Sequence, residues 1–159
     1  MHASDTYVLF VIYFLTNTFG SSRLHLGHAG LADRFEQTNR KAVELAFQAV
    51  AGTGTILGGS MGPLGEMLQP YGMLSEADAE AAYAGQACIL SDAGVDLLII
   101  ETMTDLYEVN EAIMAARHVA PQLPIIASMT FTRDDRTLLG DNPAKVARYL
   151  QQAGADVIG

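Results

Sequence analysis

Small polar and acidic residues follow apolar runs at two places in this sequence. Thr16-Asn17-Thr18-Phe19-Gly20 comes directly after one apolar run, and Ile100-Glu101-Thr102-Met103 ends another. A buried strand that leads into such a segment carries hydroxyl, amide and carboxylate groups at its end, where parallel α/β folds keep their chemistry. A carboxylate in a partly desolvated pocket pairs well with a cation. The two segments therefore predict an enzyme-type binding site.

A glycine-rich loop supplies further candidates. Thr55-Ile56-Leu57 predicts a short strand that runs into Gly58-Gly59-Ser60-Met61-Gly62-Pro63-Leu64-Gly65. Glycines let a backbone approach a ligand closely, which suits contact between backbone N–H groups and a carboxylate. Such a loop is a weak signal by itself, and we single out Ser60 and Gly62 within it.

A later predicted strand contains alternating polar and apolar residues, Ser128-Met129-Thr130-Phe131. Side chains on a strand alternate between its two faces, so one pair faces the interior of the sheet. If Ser128 and Thr130 are that pair, they either line a ligand pocket or pack as part of the interior.

Alternating strands and helices position these residues. The sequence predicts strands near 8–16, 55–60, 95–101, 125–131 and 156–159. Amphipathic spacing, capping residues and terminal glycines predict helices over 35–50, 75–92, 105–119 and 142–152. The alternation indicates parallel βα units, either in a barrel or in a doubly wound open sheet, and periodicity does not separate the two.

One join between helix and strand occurs twice. Ala93-Gly94-Val95-Asp96 returns as Ala153-Gly154-Ala155-Asp156, about 60 residues later, which corresponds to two βα units of about 30 residues each. This is a weak internal repeat of the kind that a parallel barrel produces.

Composition narrows the class of protein. The 159 residues are 50% hydrophobic, which fits one domain over residues 1–159, and the net charge of −9 argues against nucleic-acid partners. Residues 7–15 are apolar, but a membrane span needs roughly 20 such residues, so we predict a buried strand and no membrane association. The single cysteine is compatible with a reducing compartment, and we predict a cytoplasmic location.

Five motifs occur here in the order and spacing typical of the homocysteine S-methyltransferase family. They are Thr16-Asn17-Thr18-Phe19-Gly20, Gly59-Ser60-Met61-Gly62-Pro63-Leu64-Gly65, Pro70-Tyr71-Gly72, Ile100-Glu101-Thr102-Met103 and Ser128-Met129-Thr130-Phe131. Residues 14–159 resemble that family, which includes the homocysteine-binding module of methionine synthases. The resemblance implies a (β/α)8 barrel that transfers a methyl group to the thiol of homocysteine, giving methionine. The methyl donor varies among members: S-methylmethionine, S-adenosylmethionine, betaine, or methyltetrahydrofolate by way of cobalamin.

The resemblance also implies roles for individual residues. The family uses a glutamate at the position of Glu101 to bind the ammonium group of homocysteine. The Asn17-Thr18 turn would present hydrogen-bond groups to the amino-acid end of the substrate, and the glycine-rich loop would contact its carboxylate. Each role has a purely structural alternative. Glu101 would be an acidic residue at the start of a helix, Asn17 and Thr18 would form a plain turn, and Ser128 would pack in the interior. The predicted substrate-binding set is Glu101, Asn17, Thr18, Phe19, Ser60, Gly62 and Ser128, with no catalytic residue.

A zinc ion is implied for the complete family domain. Zn²⁺ holds a thiol, whose pKa is otherwise about 8.5, as the reactive thiolate. The family supplies three cysteines, the first directly after the segment that matches Ala155-Asp156-Val157-Ile158-Gly159. Cys88 lies in a predicted helix, where packing explains it, and His25, His28 and His118 lack metal-ligand spacing. We expect no zinc or other cofactor bound to this chain.

The matched segment corresponds to strands 2 to 6 of the barrel with the intervening helices, an incomplete homocysteine-binding domain. Unpaired strand edges would then favour self-association. Three interpretations remain open. The chain is part of a longer zinc-dependent methyltransferase and inactive alone, or a zinc-free remnant or split half that acts as a binding or interaction protein, or an unrelated open-sheet enzyme. The ordered motifs disfavour the third.

Overall fold

The structure is a computed structural model and describes residues 13–159. Parallel strands alternate with helices along the chain. The described strands are β1 Tyr13–Leu15, β2 Ile56–Met61, β3 Leu97–Met103, β4 Ile125–Met129 and β5 Val157–Ile158. The helices are α1 Arg23–His28, α2 Phe35–Val50, α3 Glu76–Asp92, α4 Leu106–Val119 and α5 Pro143–Ala153, with a 3₁₀ turn at Ala32–Arg34. The part of the first predicted strand that precedes Tyr13 lies outside the described residues.

The strand order distinguishes the barrel from the doubly wound sheet. The five described strands form one sheet in the order β1-β2-β3-β4-β5, and every neighbouring pair is parallel. A doubly wound sheet reverses its strand order at a switch point, whereas right-handed crossovers in one direction place all helices on one face. The fold is therefore that of part of a (β/α)8 barrel, which the family resemblance implied and the periodicity left open.

The two faces of the sheet have different environments. One face packs against the helices and forms the main core, with Leu57, Leu98 and Ala127 each 0% exposed. The opposite face, called the inner face here, includes Gly58. A Cβ there would lie 3.0 to 3.1 Å from side-chain atoms of Leu15, Ile99 and Leu97, so a larger residue would crowd this face. Because partners across a parallel ladder share a face, Ile126 opposite Ile99 also belongs to the inner face.

The repeated tetrapeptide has the same structure at both of its sites. Gly94 and Gly154 end their helices with φ of +95° and +98°. The aspartate two residues after each glycine hydrogen-bonds to the neighbouring strand. Asp96 Oδ2 accepts from Leu57 N of β2 at 2.7 Å, and Asp156 Oδ2 accepts from Ile125 N of β4 at 2.7 Å. Each join therefore stops a helix and fixes the start of the neighbouring strand, which explains the internal repeat.

Helix caps agree with the predictions, and some boundaries do not. Ser75 and Asn142 accept hydrogen bonds from the N–H groups of the first turns of α3 and α5. Neither α1 nor the 3₁₀ turn was predicted, because α1 buries no residue and so shows no apolar periodicity. The fourth strand was predicted to reach Phe131, whereas β4 ends at Met129.

Candidate functional site

The carboxyl ends of β2 and β3 bring two predicted site residues into contact. Ser60 Oγ donates a hydrogen bond of 2.6 Å to Glu101 Oε1. Ser60 is 2% exposed and Glu101 is partly buried at the end of β3. Ile99 is an inner-face residue, so Glu101, two positions later, projects to the same face. A carboxylate can accept about four hydrogen bonds, so this contact leaves acceptor capacity for a ligand.

A closed ring of hydrogen bonds holds Ser60 in place. Ser60 N donates to Thr16 Oγ1 at 3.1 Å, the hydroxyls of Thr16 and Thr18 lie 2.6 Å apart, and Thr18 Oγ1 donates to Ser60 O at 2.7 Å. The Thr18 proton is used on the carbonyl, so the hydroxyl of Thr16 must donate to that of Thr18. Every group in the ring is satisfied and buried, which stiffens the wall behind Glu101.

The structure separates the predicted residues of the turn that follows β1. Thr18 is 0% exposed, so its hydroxyl supports Ser60 from within the protein. Asn17 is exposed and lines a groove of about 600 Å³ between β1 and α2, and Glu101 is not among the residues that line this groove. The geometry thus gives Thr18 an indirect place and does not bring Asn17 to the Ser60–Glu101 contact. Their roles in substrate binding remain predictions.

Phe19 and Gly62 fit together across the same end of the sheet. Phe19 is 41% exposed, and a Cβ on Gly62 would lie 2.5 Å from its ring. Gly62 N also donates to Phe19 O at 3.2 Å. Residue 62 must therefore lack a side chain so that the Phe19 ring can lie over the loop.

Part of the N–H capacity of the loop after β2 is used within the protein, and the contact of this loop with a substrate carboxylate remains a prediction. Gly62 N is used by Phe19 O, Pro63 has no N–H, and Leu64 N donates to Glu108 Oε1 at 2.7 Å. Positions 62 to 64 therefore offer no free N–H group to a substrate carboxylate.

Glu108 and Tyr83 anchor this loop, and neither was predicted as part of the site. Tyr83 OH donates to Glu108 Oε1 at 2.8 Å and lies 3.3 Å from Gly62 O. Burial raises the pKa of Glu108, while the hydrogen bonds from Leu64 N and Tyr83 oppose that shift. Burial, together with the neighbouring Glu108 carboxyl, also raises the pKa of Tyr83. An acidic residue in the first turn of a helix is normally explained by a favourable contact with the helix dipole at the surface. The position of Glu108 in the sequence therefore did not indicate that it is buried.

Two buried polar side chains on the helices support the turn that follows β1. Gln86 Nε2 donates to Thr18 O at 2.8 Å and to Asn39 Oδ1 at 3.2 Å. Asn39 Nδ2 in turn donates to Ser21 O at 2.9 Å. Polar residues on otherwise apolar helix faces were the available sequence signal for both.

Ser128 lies on the inner face, as the alternation in its strand allowed. Met129 is 7% exposed and packs in the main core, whereas Ser128 is partly buried on the other side. The ladder between β3 and β4 shifts register between Ile100 and Met103, so Glu101 and Thr102 together stand opposite Ser128. The structure thus places Ser60, Glu101 and Ser128 at the ends of three adjacent strands.

The described residues do not fit a zinc ion. Over residues 13–159, no three His, Cys, Asp or Glu side chains come together closely enough to hold a metal. Cys88 is exposed on α3, with its sulfur 3.9 Å from Asp92 Oδ2. Nδ1 of His25 lies 3.2 Å from Ser22 Oγ, and Nε2 of His28 lies 2.9 Å from Glu66 Oε1. In the same part of the chain, no helix has the length and apolar character needed to span a membrane.

Comparison with known proteins identifies relatives of the chain. The family model for homocysteine S-methyltransferase matches residues 12–159. The methionine synthase of Mycobacterium tuberculosis is 29% identical over 153 residues, and that of Mycobacterium leprae is 27% identical over 153 residues. Each match covers 91% of this chain and 13% of the relative, so the chain spans only a small part of those proteins.

Solved structures show the same fold. The metallated form of the homocysteine methyltransferase MmuM from Escherichia coli superposes with a TM-score of 0.75 at 21% identity. Its oxidised form gives a TM-score of 0.74 at 22% identity. The matches cover 91% of this chain and 56% and 55% of the respective MmuM chains.

Proposed function

The chain belongs to the homocysteine S-methyltransferase family, and from that membership we propose that it binds the amino-acid end of homocysteine for methyl transfer to the thiol. The observation that carries the proposal is the Ser60–Glu101 contact of 2.6 Å at the carboxyl ends of β2 and β3. The proposed reaction is the formation of methionine by a longer, zinc-dependent enzyme of which this chain supplies one wall.

Glu101 would bind the substrate ammonium group. Ser60 fixes one carboxylate oxygen, and the remaining lone pairs can accept charge-assisted hydrogen bonds, which are roughly twice as strong as neutral ones. The buried ring of Thr16 and Thr18 prevents Ser60 from moving when the ligand arrives. Preorganisation of this kind reduces the entropy lost on binding.

Sulfur activation is assigned to groups beyond the described residues. The zinc ion implied by the family would hold the substrate sulfur as a thiolate. Because no fitting donor set lies among residues 13–159, the role proposed for this part of the chain is to bind and orient the substrate. The methyl donor belongs to one of the four classes named for the family, and a cytoplasmic location is proposed from the single cysteine.

Calorimetric titration with L-homocysteine under reducing conditions tests the proposal. Without a sulfur ligand we expect a Kd no tighter than about 1 mM, which corresponds to about 4 kcal/mol. Glu101→Gln keeps the size of the side chain but removes its charge, so homocysteine binding should weaken by at least about tenfold.

The matched control is 4-mercaptobutanoate, which lacks the ammonium group. Its affinity should be unchanged or slightly higher in Glu101→Gln, because the carboxylate makes no favourable contact with it. Equal homocysteine affinity in the two proteins would contradict the role given to Glu101. No detectable homocysteine binding by the unaltered chain would contradict the proposed function itself.

A second candidate is a zinc-free binding or interaction protein. The observation that favours it is the lack of a fitting zinc donor set within the described part of the chain. Both candidates predict less than stoichiometric zinc in the purified 159-residue chain at micromolar concentration and no methionine formation by it. One tightly held zinc per chain, measured by elemental analysis, would contradict the metal prediction.

Self-association is a further expectation under both candidates. Tyr13, Phe14, Val157 and Ile158 lie on the two outer strands of the described sheet and are 42 to 52% exposed. Apolar outer strands favour edge-to-edge pairing. Size-exclusion chromatography with light scattering should show concentration-dependent oligomers, and a sharp, concentration-independent monomer would contradict this expectation.

A further inference from the structure

Thr102 has an unusual backbone conformation next to the proposed ligand-binding carboxylate. Its φ is +62°, in the left-handed region. A β-branched residue is a genuine outlier there, because its side chain crowds the backbone. Within the described residues, positive φ otherwise occurs at seven glycines and at Asp135. The sequence thus uses glycine at most positions of this kind, but not at the end of β3.

The strain coincides with a one-residue shift in the register between β3 and β4, which is called the bulge here. Ile100 pairs with Ala127 and Met103 pairs with Met129, so β3 has one more residue than β4 over this interval. Glu101 and Thr102 of β3 therefore stand opposite the single residue Ser128 of β4. Bulges of this kind re-aim side chains and are common beside active sites.

The alternation of faces shows what the bulge does to Thr102. Ile99 lies on the inner face, so regular alternation would place both Glu101 and residue 103 there too. Instead, Met103 is 0% exposed in the main core. Thr102 is exposed and therefore does not share the core position of Met103. The bulge consequently presents two consecutive polar residues, Glu101 and Thr102, at the open end of the sheet.

We propose that Thr102 is a second ligand-binding residue, whose hydroxyl donates to the carboxylate of the amino acid whose ammonium group Glu101 binds. The inference rests on the proposed function. It supplies a hydroxyl donor next to Glu101 in the chain, whereas positions 62 to 64 of the glycine-rich loop offer no free N–H group. The ligand class is an α-amino acid, bound through both of its charged groups. On this proposal, the strained backbone serves to bring the hydroxyl to the amino-acid ligand that Glu101 binds.

Three substitutions at Thr102 separate the hydroxyl from the backbone strain. Thr102→Val keeps the branched shape and removes the hydroxyl, Thr102→Ser keeps the hydroxyl, and Thr102→Gly removes both hydroxyl and strain. Each protein is titrated with L-homocysteine and with 3-mercaptopropylamine, which lacks the carboxylate. Thermal unfolding of each protein is measured in parallel.

If the Thr102 hydroxyl binds the ligand carboxylate, its removal should weaken only the ligand that has a carboxylate. Thr102→Val should weaken homocysteine binding by about tenfold, the size of one hydrogen bond to a charged group, and leave 3-mercaptopropylamine binding unchanged. Thr102→Ser should stay within about threefold of the unaltered chain, because the donor remains. Thr102→Gly should weaken homocysteine binding as well and raise the melting temperature by about 2–8 °C, because glycine adopts positive φ freely.

The outcomes distinguish this inference from the proposed function. Unchanged homocysteine affinity in Thr102→Val, with binding lost in Glu101→Gln, would overturn the role of Thr102 and leave that of Glu101 standing. An equal loss for both ligands in Thr102→Val would also overturn it, since the hydroxyl would then not read the carboxylate. Failure of the unaltered chain to bind homocysteine would overturn both.

Discussion

Two glutamates seven positions apart occupy contrasting environments. Glu101, at the end of β3, is partly buried and accepts a hydrogen bond from Ser60 at 2.6 Å. Glu108, in the first turn of α4, is 5% exposed and accepts hydrogen bonds from Leu64 N and Tyr83 OH. The first carboxylate lies at the open end of the inner face, and the second lies beneath the loop that borders it.

The difference shows how environment assigns a role to one residue type. The acceptor capacity of Glu108 is used on protein groups that would otherwise be buried without partners, and burial raises its pKa. Glu101 has capacity left for a ligand. We therefore expect Glu108 to control the stability of the fold and Glu101 to control binding.

The largest expected effect is on stability at Glu108. Glu108→Ala removes the acceptor for Leu64 N and Tyr83 OH and opens a small cavity, so it should lower the free energy of unfolding by about 2–4 kcal/mol. Glu101→Ala should change it by less than about 1 kcal/mol, and so should Glu80→Ala at an exposed site on α3. Urea denaturation measures all three. Equal losses at positions 101 and 108 would break the contrast.

A smaller effect is expected in the hydroxyl ring. Thr18→Val removes the donor to Ser60 O and leaves that buried carbonyl without its partner, which should cost about 1–3 kcal/mol. Thr53→Val removes an exposed hydroxyl that contacts Val50 O, Thr55 Oγ1 and Thr55 N, and because water can replace these partners the change should cost less than about 0.5 kcal/mol. Homocysteine binding should also weaken in Thr18→Val, since Ser60 and Glu101 lose their support. Unchanged stability in Thr18→Val would show that the ring does not stiffen the site.

The smallest effects concern pH. The pKa of Glu108 is raised above its ordinary value of 4.5, so its contribution to stability is fully present below that value and is lost as pH rises through the folded-state pKa. The pKa of Asp156 is lowered from 3.8 by the Ile125 N–H and by Arg117, so its contribution is present above 3.8 and is lost as pH falls through the folded-state pKa. The two groups therefore act in opposite directions.

Urea unfolding measured across pH separates these contributions. Glu108→Gln should flatten the decline in stability above about pH 4.5, and Asp156→Asn should flatten the loss at acidic pH. The effect of Asp156 should be modest, because its carboxylate is half exposed and screened by solvent. A steeper decline in Glu108→Gln would contradict the burial-induced shift.

Much of the fold could be predicted from the sequence, because helix caps and helix–strand joins are specified by neighbouring residues. Helix caps at Ser75 and Asn142 and the Gly-x-Asp joins depend on a few adjacent residues, and the structure confirms them. The barrel-type strand order was not decided by periodicity, because buried parallel strands read as uniform apolar runs in either topology. Family resemblance indicated the barrel, and the sequential order of the strands confirms it.

The candidate site was predictable only in part, since several of its features depend on contacts between distant segments. The motifs identified Ser60 and Glu101, but the hydrogen bond between them joins residues 41 positions apart. The inward position of Glu108 and the ring through Thr16 depend on packing between segments 44 residues apart. The left-handed φ of Thr102 contradicts local preference and has no sequence signature.

The most direct test of the central claim compares the two glutamates in one titration. Glu101→Gln and Glu108→Gln are each titrated with L-homocysteine by calorimetry, with urea unfolding to confirm that both proteins remain folded. We predict that affinity falls by at least about tenfold in Glu101→Gln and by less than about threefold in Glu108→Gln, which keeps an acceptor for Leu64 N and Tyr83 OH. Equal affinities in the two variants, or a larger loss in Glu108→Gln, would contradict the assignment of Glu101 as the residue that binds the substrate.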